Sequence, residues 1–265
     1  MQTVFDEFSP AAVKKLSERP EAFKDAEHLK RTAAQQPSLG RADVVDPTGC
    51  GRTPVNVTFP PAIVNALNLL LTAEYLETEF YSTALNTPGL IPNNRRLLIA
   101  RILLNEVGHR ETVLTILGAN AVAKPNFDFT AGGQIPDVFS NFSRFIALGH
   151  TFEDNGVRAI KGQAGNVMSD DFVITTALRF HSVEARHAAE LRRLNGEKGW
   201  IVLNQRAPNL PAFTQGVYNG EENTVQAGID LVAATGYSAA TVSEAFDEPL
   251  TAAQVMQNIA PFIRS

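Results

Sequence analysis

The stretch LRFHSVEARHAAELRRL, residues 178–194, decides how the whole chain is read. Core positions of a bundle helix recur at alternating steps of four and three residues. Counted from Val173, those steps fall on Ala177, Phe180, Glu184, His187, Leu191 and Leu194. A carboxylate and an imidazole therefore hold two successive core positions between large apolar residues. Burying them without partners costs several kcal/mol, so each needs a partner from another helix.

The same steps recur in three more segments. A first helix, PPAIVNALNLLLTAEYLETEFYSTAL (60–85), steps through Ile63, Leu67, Leu70, Glu74, Glu77, Tyr81 and Ala84 before the breaker NTPGLIP (86–92). A second, NNRRLLIARILLNEVGHRETVLTIL (93–117), steps through Ile99, Ile102, Glu106, His109, Val113 and Ile116. Its expected limits are an Asn93 or Asn94 cap and Gly118. A third, DVFSNFSRFIALGHTFEDNGVRAIKG (137–162), steps through Phe142, Ile146, Gly149, Glu153, Gly156 and Ile160. The fourth starts from a Ser169 cap and ends near Asn195 and Gly196.

Helices one and two, and three and four, are joined by short turns, whereas GANAVAKPNFDFTAGGQIP (118–136) is long enough to travel the length of a bundle. The expected fold is all-α: a four-helix bundle with one long crossover between the second and third helices. Residues 1–58, broken by Pro10, Pro20, Pro37, Pro47 and Pro54, read as an N-terminal arm, and 59–196 as the bundle. Residues 197–265 read as a C-terminal helical extension packed on the bundle, with an Asn219-Gly220 turn and a Thr251–Gln254 capping box.

Height along the bundle decides which core acids can meet. Glu74 precedes Pro88 by as many residues as Glu106 follows Pro92, so both stand about 21 Å from their turn at about 1.5 Å per residue. Glu153 and Glu184 match less well, at roughly 15 and 22 Å from theirs.

Four carboxylates meeting in a dry core repel one another strongly. Two divalent cations cancel four such charges and leave two neutral imidazoles as further ligands. The expected metal ligands are Glu74, Glu106, His109, Glu153, Glu184 and His187. Carboxylate oxygens with one imidazole per ion favour iron or manganese over zinc or magnesium. One ExxH is a weak motif, but two on core positions, faced by core acids on the other two helices, form a specific one.

Composition narrows the partners. A net charge of −5 and a pI near 5.6, with scattered Lys and Arg, argue against nucleic acid or an anionic membrane. No apolar run is long enough for a bilayer, and the chain shows no signal-peptide pattern, so a cytoplasmic protein is expected. Cys50 is the only cysteine, which excludes an intrachain disulfide and a thiolate cluster; it reads as a loop residue.

LTAEYLETEFY (71–81), FDFTAGG (127–133), FEDNGVRAIKG (152–162), HSVEARHAAELRRL (181–194) and EAFDEPLTAAQV (244–255) resemble the ferritin-like superfamily. Within it, they resemble bacterial and fungal ferritin-like domain proteins related to plant desiccation-related proteins. The resemblance implies a dinuclear carboxylate centre in a bundle over about residues 60–200. It favours Glu74 as the first helix's ligand, because a tyrosine, Tyr81, follows seven residues later. Glu77 is then either an outer carboxylate that hydrogen-bonds to a ligand or shifts onto a metal, or a solvated or arginine-paired acid. Tyr81 either donates to a bridging carboxylate or fills the core, packing being the expected role.

His150 and His181 flank the seam, either as relay or supporting residues or as satisfied core histidines, and His28 lies in the arm. Asp154 is expected to pair with an arginine such as Arg158. The leading functional expectation is redox chemistry on peroxide, dioxygen or ferrous iron in stress protection. Iron storage, and a protective protein with purely structural metals, are the alternatives. A homodimer is allowed, and since related proteins often carry export signals, an exported longer precursor is a second expectation for location.

Overall fold

The computed structural model describes residues 58–264, which from Phe59 onward form a compact unit. The expected N-terminal arm, His28 and Cys50 lie outside the described residues. Four long helices carry the fold: α1 (Pro61–Asn86), α2 (Arg96–Leu117), α3 (Phe142–Val167) and α4 (Asp171–Leu194). α1 packs along α2 and α3 along α4, the two pairs meet mainly where α1 lies on α3, and α2 and α4 touch at few places. The segment between Gly118 and Asn141 makes the long crossover.

The helix ends follow local chemistry, with corrections to the sequence reading. Pro61 opens α1 at a position where a missing N–H costs nothing. α2 begins at Arg96 without a side-chain cap, because Pro92 to Arg95 form a turn that takes up Asn93 and Asn94. α3 begins at Phe142, five residues later than expected, where the Asn141 side chain accepts the Arg144 amide. α4 is capped by Asp170 rather than Ser169, its carboxylate accepting from the Phe172 and Val173 amides. Gly118 and Gly196 take positive φ at the ends of α2 and α4.

α3 also runs on past Gly162 to Val167. This extension corrects the height mismatch. Glu153 stands about 14 residues before the end of α3 and Glu184 about 13 after the start of α4, which levels them to within about 1.5 Å.

The apolar core is divided. One cluster gathers Leu76, Phe80, Ile99, Ile102, Phe145, Phe152 and Leu191, and the other Leu67, Leu70, Val113, Ile160, Val173 and Phe180. Between them, every long helix contributes acid.

Residues after Gly196 cover the outer face of α3, which is why that helix is buried nearly all round. Short helices α5 (Leu231–Thr235), α6 (Ala239–Ser243) and α7 (Ala252–Ile259) lie here, α7 with the Thr251–Gln254 capping box in place. Strand β1 (Asn126–Phe127) in the crossover pairs antiparallel with β4 (Ile263–Arg264), tying the chain's last residues to the bundle, and β2 (Val225–Gln226) pairs with β3 (Ile229–Asp230).

Arg158, 1 % exposed, is the main anchor of this cover. Its Nε lies 2.7 Å from Glu221 Oε1, and its guanidinium donates to the carbonyls of Val217, Asn219 and Glu248. The expected Asp154–Arg158 pair is therefore not formed. Spacing within one helix allowed it, but the tail claims Arg158 and α4 claims Asp154.

Gly162 lets the tail approach: a Cβ there would stand 1.9 Å from the Leu250 carbonyl oxygen, a backbone atom that cannot swing away. At Gly165 in the same helix nothing lies within 4 Å of an added Cβ. Gly162→Ala is expected to destabilise the fold by about 1–3 kcal/mol in urea unfolding, overpacking outweighing the gain in helix propensity. Gly165→Ala should instead stabilise it by about 0.5–1 kcal/mol.

Candidate metal centre

α1 supplies Glu74 and Glu77, α2 Glu106 and His109, α3 Glu153, and α4 Glu184 and His187. The i, i+3 spacing puts both members of each pair on one face. All are buried, from 0 % exposure at Glu106 and Glu153 to 6 % at the two histidines. Two groups of four donors form: Glu74, Glu106, His109 and Glu184, and Glu106, Glu153, Glu184 and His187. In each, one ligand atom per residue lies within 4.8 Å of all the others. Glu106 and Glu184 belong to both.

Each imidazole aims Nδ1 at several carboxylates. His109 Nδ1 lies 2.8 Å from Glu184 Oε1, 3.2 Å from Glu106 Oε2 and 3.6 Å from Glu74 Oε2. His187 Nδ1 lies 2.6 Å from Glu106 Oε1, 3.2 Å from Glu153 Oε2 and 4.0 Å from Glu184 Oε2. One nitrogen proton cannot serve three acceptors, and Glu74 Oε2, Glu106 Oε1 and both oxygens of Glu184 are buried without a well-aligned hydrogen bond. Orphaned oxygens converging with imidazole nitrogens fit divalent cations of the oxygen- and nitrogen-binding kind.

The electrostatics agree. Burial pushes Glu74 well above the usual carboxylate range against the pull of His109, and it raises Glu184 to about 7, with Glu153 adding to the shift. Burial opposes a charge on His187, yet Glu153 and Glu106 outweigh it and push the ring up to about 11. The cluster thus holds protons where cations would sit, so metal uptake would release them.

Several side chains hold the donors in place. His187 Nε2 donates to Asn105 Oδ1 at 3.1 Å, so Nδ1, the nitrogen that faces Glu106 and Glu153, is the one placed to bind a metal. The His109 ring stacks on Phe180 with centroids 4.2 Å apart. The Tyr81 hydroxyl donates to Glu153 Oε1, so Tyr81 does more than the expected packing. Gly149 makes room for it: a Cβ there would lie 3.4 Å from the hydroxyl oxygen and 3.3 Å from Leu191 Cδ1.

The two flanking histidines sit apart from the cluster. His150 is fully buried on the outer side of α3, with Nδ1 3.4 Å from Asp154 Oδ2 and 3.3 Å from the Tyr218 hydroxyl. Arg192 grips Asp154 through Nη2 at 2.5 Å and Nε at 3.2 Å, and Tyr218 donates to it at 2.9 Å. Burial works against the Asp154 charge, but Arg192 and His150 overcome it and hold the carboxyl down at about 2. This second network fastens α3, α4 and the tail to one another. His181 is half-buried and outside both donor groups, with the charges of Asp247 and Lys161 acting on it.

Asn105 was not among the sequence candidates, because a polar residue one step off the core seam gives no periodic signal. Asn105→Leu is expected to weaken metal binding at His187 by roughly 10- to 100-fold while the fold is kept, and Asn105→Asp to restore it. Calorimetric titration with Mn²⁺ reads both outcomes, and unchanged affinity in the leucine variant would contradict the role.

A family model described as a ferritin-like domain matches residues 63–197, from the first turn of α1 to just past α4. No curated protein matches the chain. Bundle, crossover and buried Glu/His groups all fall within the matched residues, and the chain belongs to the ferritin-like domain family.

Proposed function

We propose that the chain holds two divalent ions, iron or manganese, and uses them to react with a small oxidant, dioxygen or peroxide, or to oxidise ferrous iron. Glu74 and His109 would serve one ion, Glu153 and His187 the other, and Glu106 and Glu184 would be shared. The observation that carries this reading is the overlap of the two four-donor groups in Glu106 and Glu184. Shared carboxylates hold a metal pair close, and such a pair, when bound, supplies two electrons side by side.

The surroundings limit the substrate by size. The donors are at most 6 % exposed, which favours a small oxidant over a bulky organic substrate. The two histidines, the most exposed of the six, stand on α2 and α4, which touch at few places. Approach from that side supports access by small molecules. Protection against oxidative stress is the setting that the family resemblance implies.

A second reading has its own observation. The polar layer splits the apolar core into two clusters, so bound ions would also pin the helices together where packing cannot. The experiment separates the readings. Apoprotein is loaded with Fe²⁺ or Mn²⁺, and the loss of peroxide or oxygen is followed beside the melting temperature. The redox reading expects turnover above that of the free ions, abolished in Glu106→Ala. Equal rates in the variant would overturn it, and a chelator-sensitive melting temperature without turnover would leave a structural role.

A further inference from the structure

Glu77 is the carboxylate that neither four-donor group uses. It lies one turn beyond Glu74 on α1, is 2 % exposed, and forms no ion pair with a lysine or arginine among the described residues. It is thus neither the solvated nor the arginine-paired acid that its spacing allowed.

Its position is not symmetric. A Cβ added to Gly156 would stand 3.5 Å from Glu77 Oε1 and 3.6 Å from Glu184 Oε2, so the bare glycine leaves a small space that both oxygens border. Glu184 Oε2 is itself buried without a hydrogen bond. That same Glu184 Oε2 lies 4.0 Å from His187 Nδ1, whereas Glu184 Oε1 faces His109 at 2.8 Å, which puts Glu77 on the side of Glu153 and His187. There, Tyr81 already occupies Glu153 Oε1 and leaves that carboxylate one oxygen for a metal. The Glu74–His109 side has no such extra acid.

Charge completes the argument. Four carboxylates balance two divalent ions, but Glu77 makes five, and the balance then closes for one divalent and one trivalent ion. Resting on the dinuclear reading, we propose that Glu77 is a seventh protein donor that makes the Glu153–His187 position the one that holds a trivalent ion. The two metal positions are then chemically unequal, the one beside Glu77 being built for the higher charge. Oxygen donors of full negative charge favour that ion most strongly.

The test uses ions that cannot change oxidation state under the conditions. Apoprotein of the wild type, Glu77→Gln, Glu77→Asp and Gly156→Ala is loaded anaerobically with Mn²⁺, then challenged with Ga³⁺ as its citrate complex. Bound metal per chain is measured after gel filtration. The wild type should keep two Mn²⁺ and exchange one of them for Ga³⁺. Glu77→Gln should keep two Mn²⁺, which shows that it is folded, but hold Ga³⁺ roughly 10- to 100-fold more weakly. Glu77→Asp should recover part of the loss, and Gly156→Ala, which fills the space between the two oxygens, should share it. Equal Ga³⁺ retention in wild type and Glu77→Gln would overturn the proposal, as would loss of Mn²⁺ and Ga³⁺ alike. A wild type that binds fewer than two Mn²⁺ would overturn the dinuclear reading with it.

Discussion

Like charges held together in a dry core are the constraint on which the rest of this structure depends. Glu74, Glu77, Glu106, Glu153 and Glu184 are all 3 % exposed or less, and among the described residues no lysine or arginine is paired with any of them. At effective dielectric constants near 20, each close pair of ionised carboxylates repels by several kcal/mol. Two imidazoles cannot neutralise five acids, so the layer either holds protons, as the raised values of Glu74 and Glu184 indicate, or holds cations. Stability and function are coupled through that choice.

The fold serves the constraint by bringing one face of each long helix to one level. α3 does most of this work at the centre, contacting α1, α4 and the tail. Its glycines set the approach distances: Gly149 toward Tyr81 and Leu191, Gly156 toward Glu77 and Glu184, and Gly162 toward the tail. The C-terminal residues add no donor to the cluster. They bury the outer face of α3 through Arg158–Glu221 and through the Asp154–Arg192–Tyr218 network, which stiffens the two helices that carry Glu153, Glu184 and His187.

Much of this was legible in the sequence, because the helical period is rigid. Alternating steps of four and three put Glu74, Glu106, His109, Glu153, Glu184 and His187 on core positions, and these are the residues that the structure gathers in two groups. What escaped depends on contacts between segments distant in sequence. Gly162 read as the end of the third helix, but its bare backbone is what lets Leu250 close over a helix that continues. Asp154 found Arg192 and not Arg158, since one spacing rule cannot rank a neighbour in the same helix against one across the bundle. Glu77 could be called buried or solvated from its spacing alone, and only the position of α3 decides for burial.

The central claim is a pair of metal ions that share Glu106 and Glu184. Anomalous diffraction at the manganese or iron edge, from crystals of the metal-loaded chain, tests it most directly. The account predicts two peaks about 3.5–4 Å apart, each in contact with both shared carboxylates, one beside His109 and the other beside His187. A single peak between the helices, or metal bound only at the surface, would contradict it.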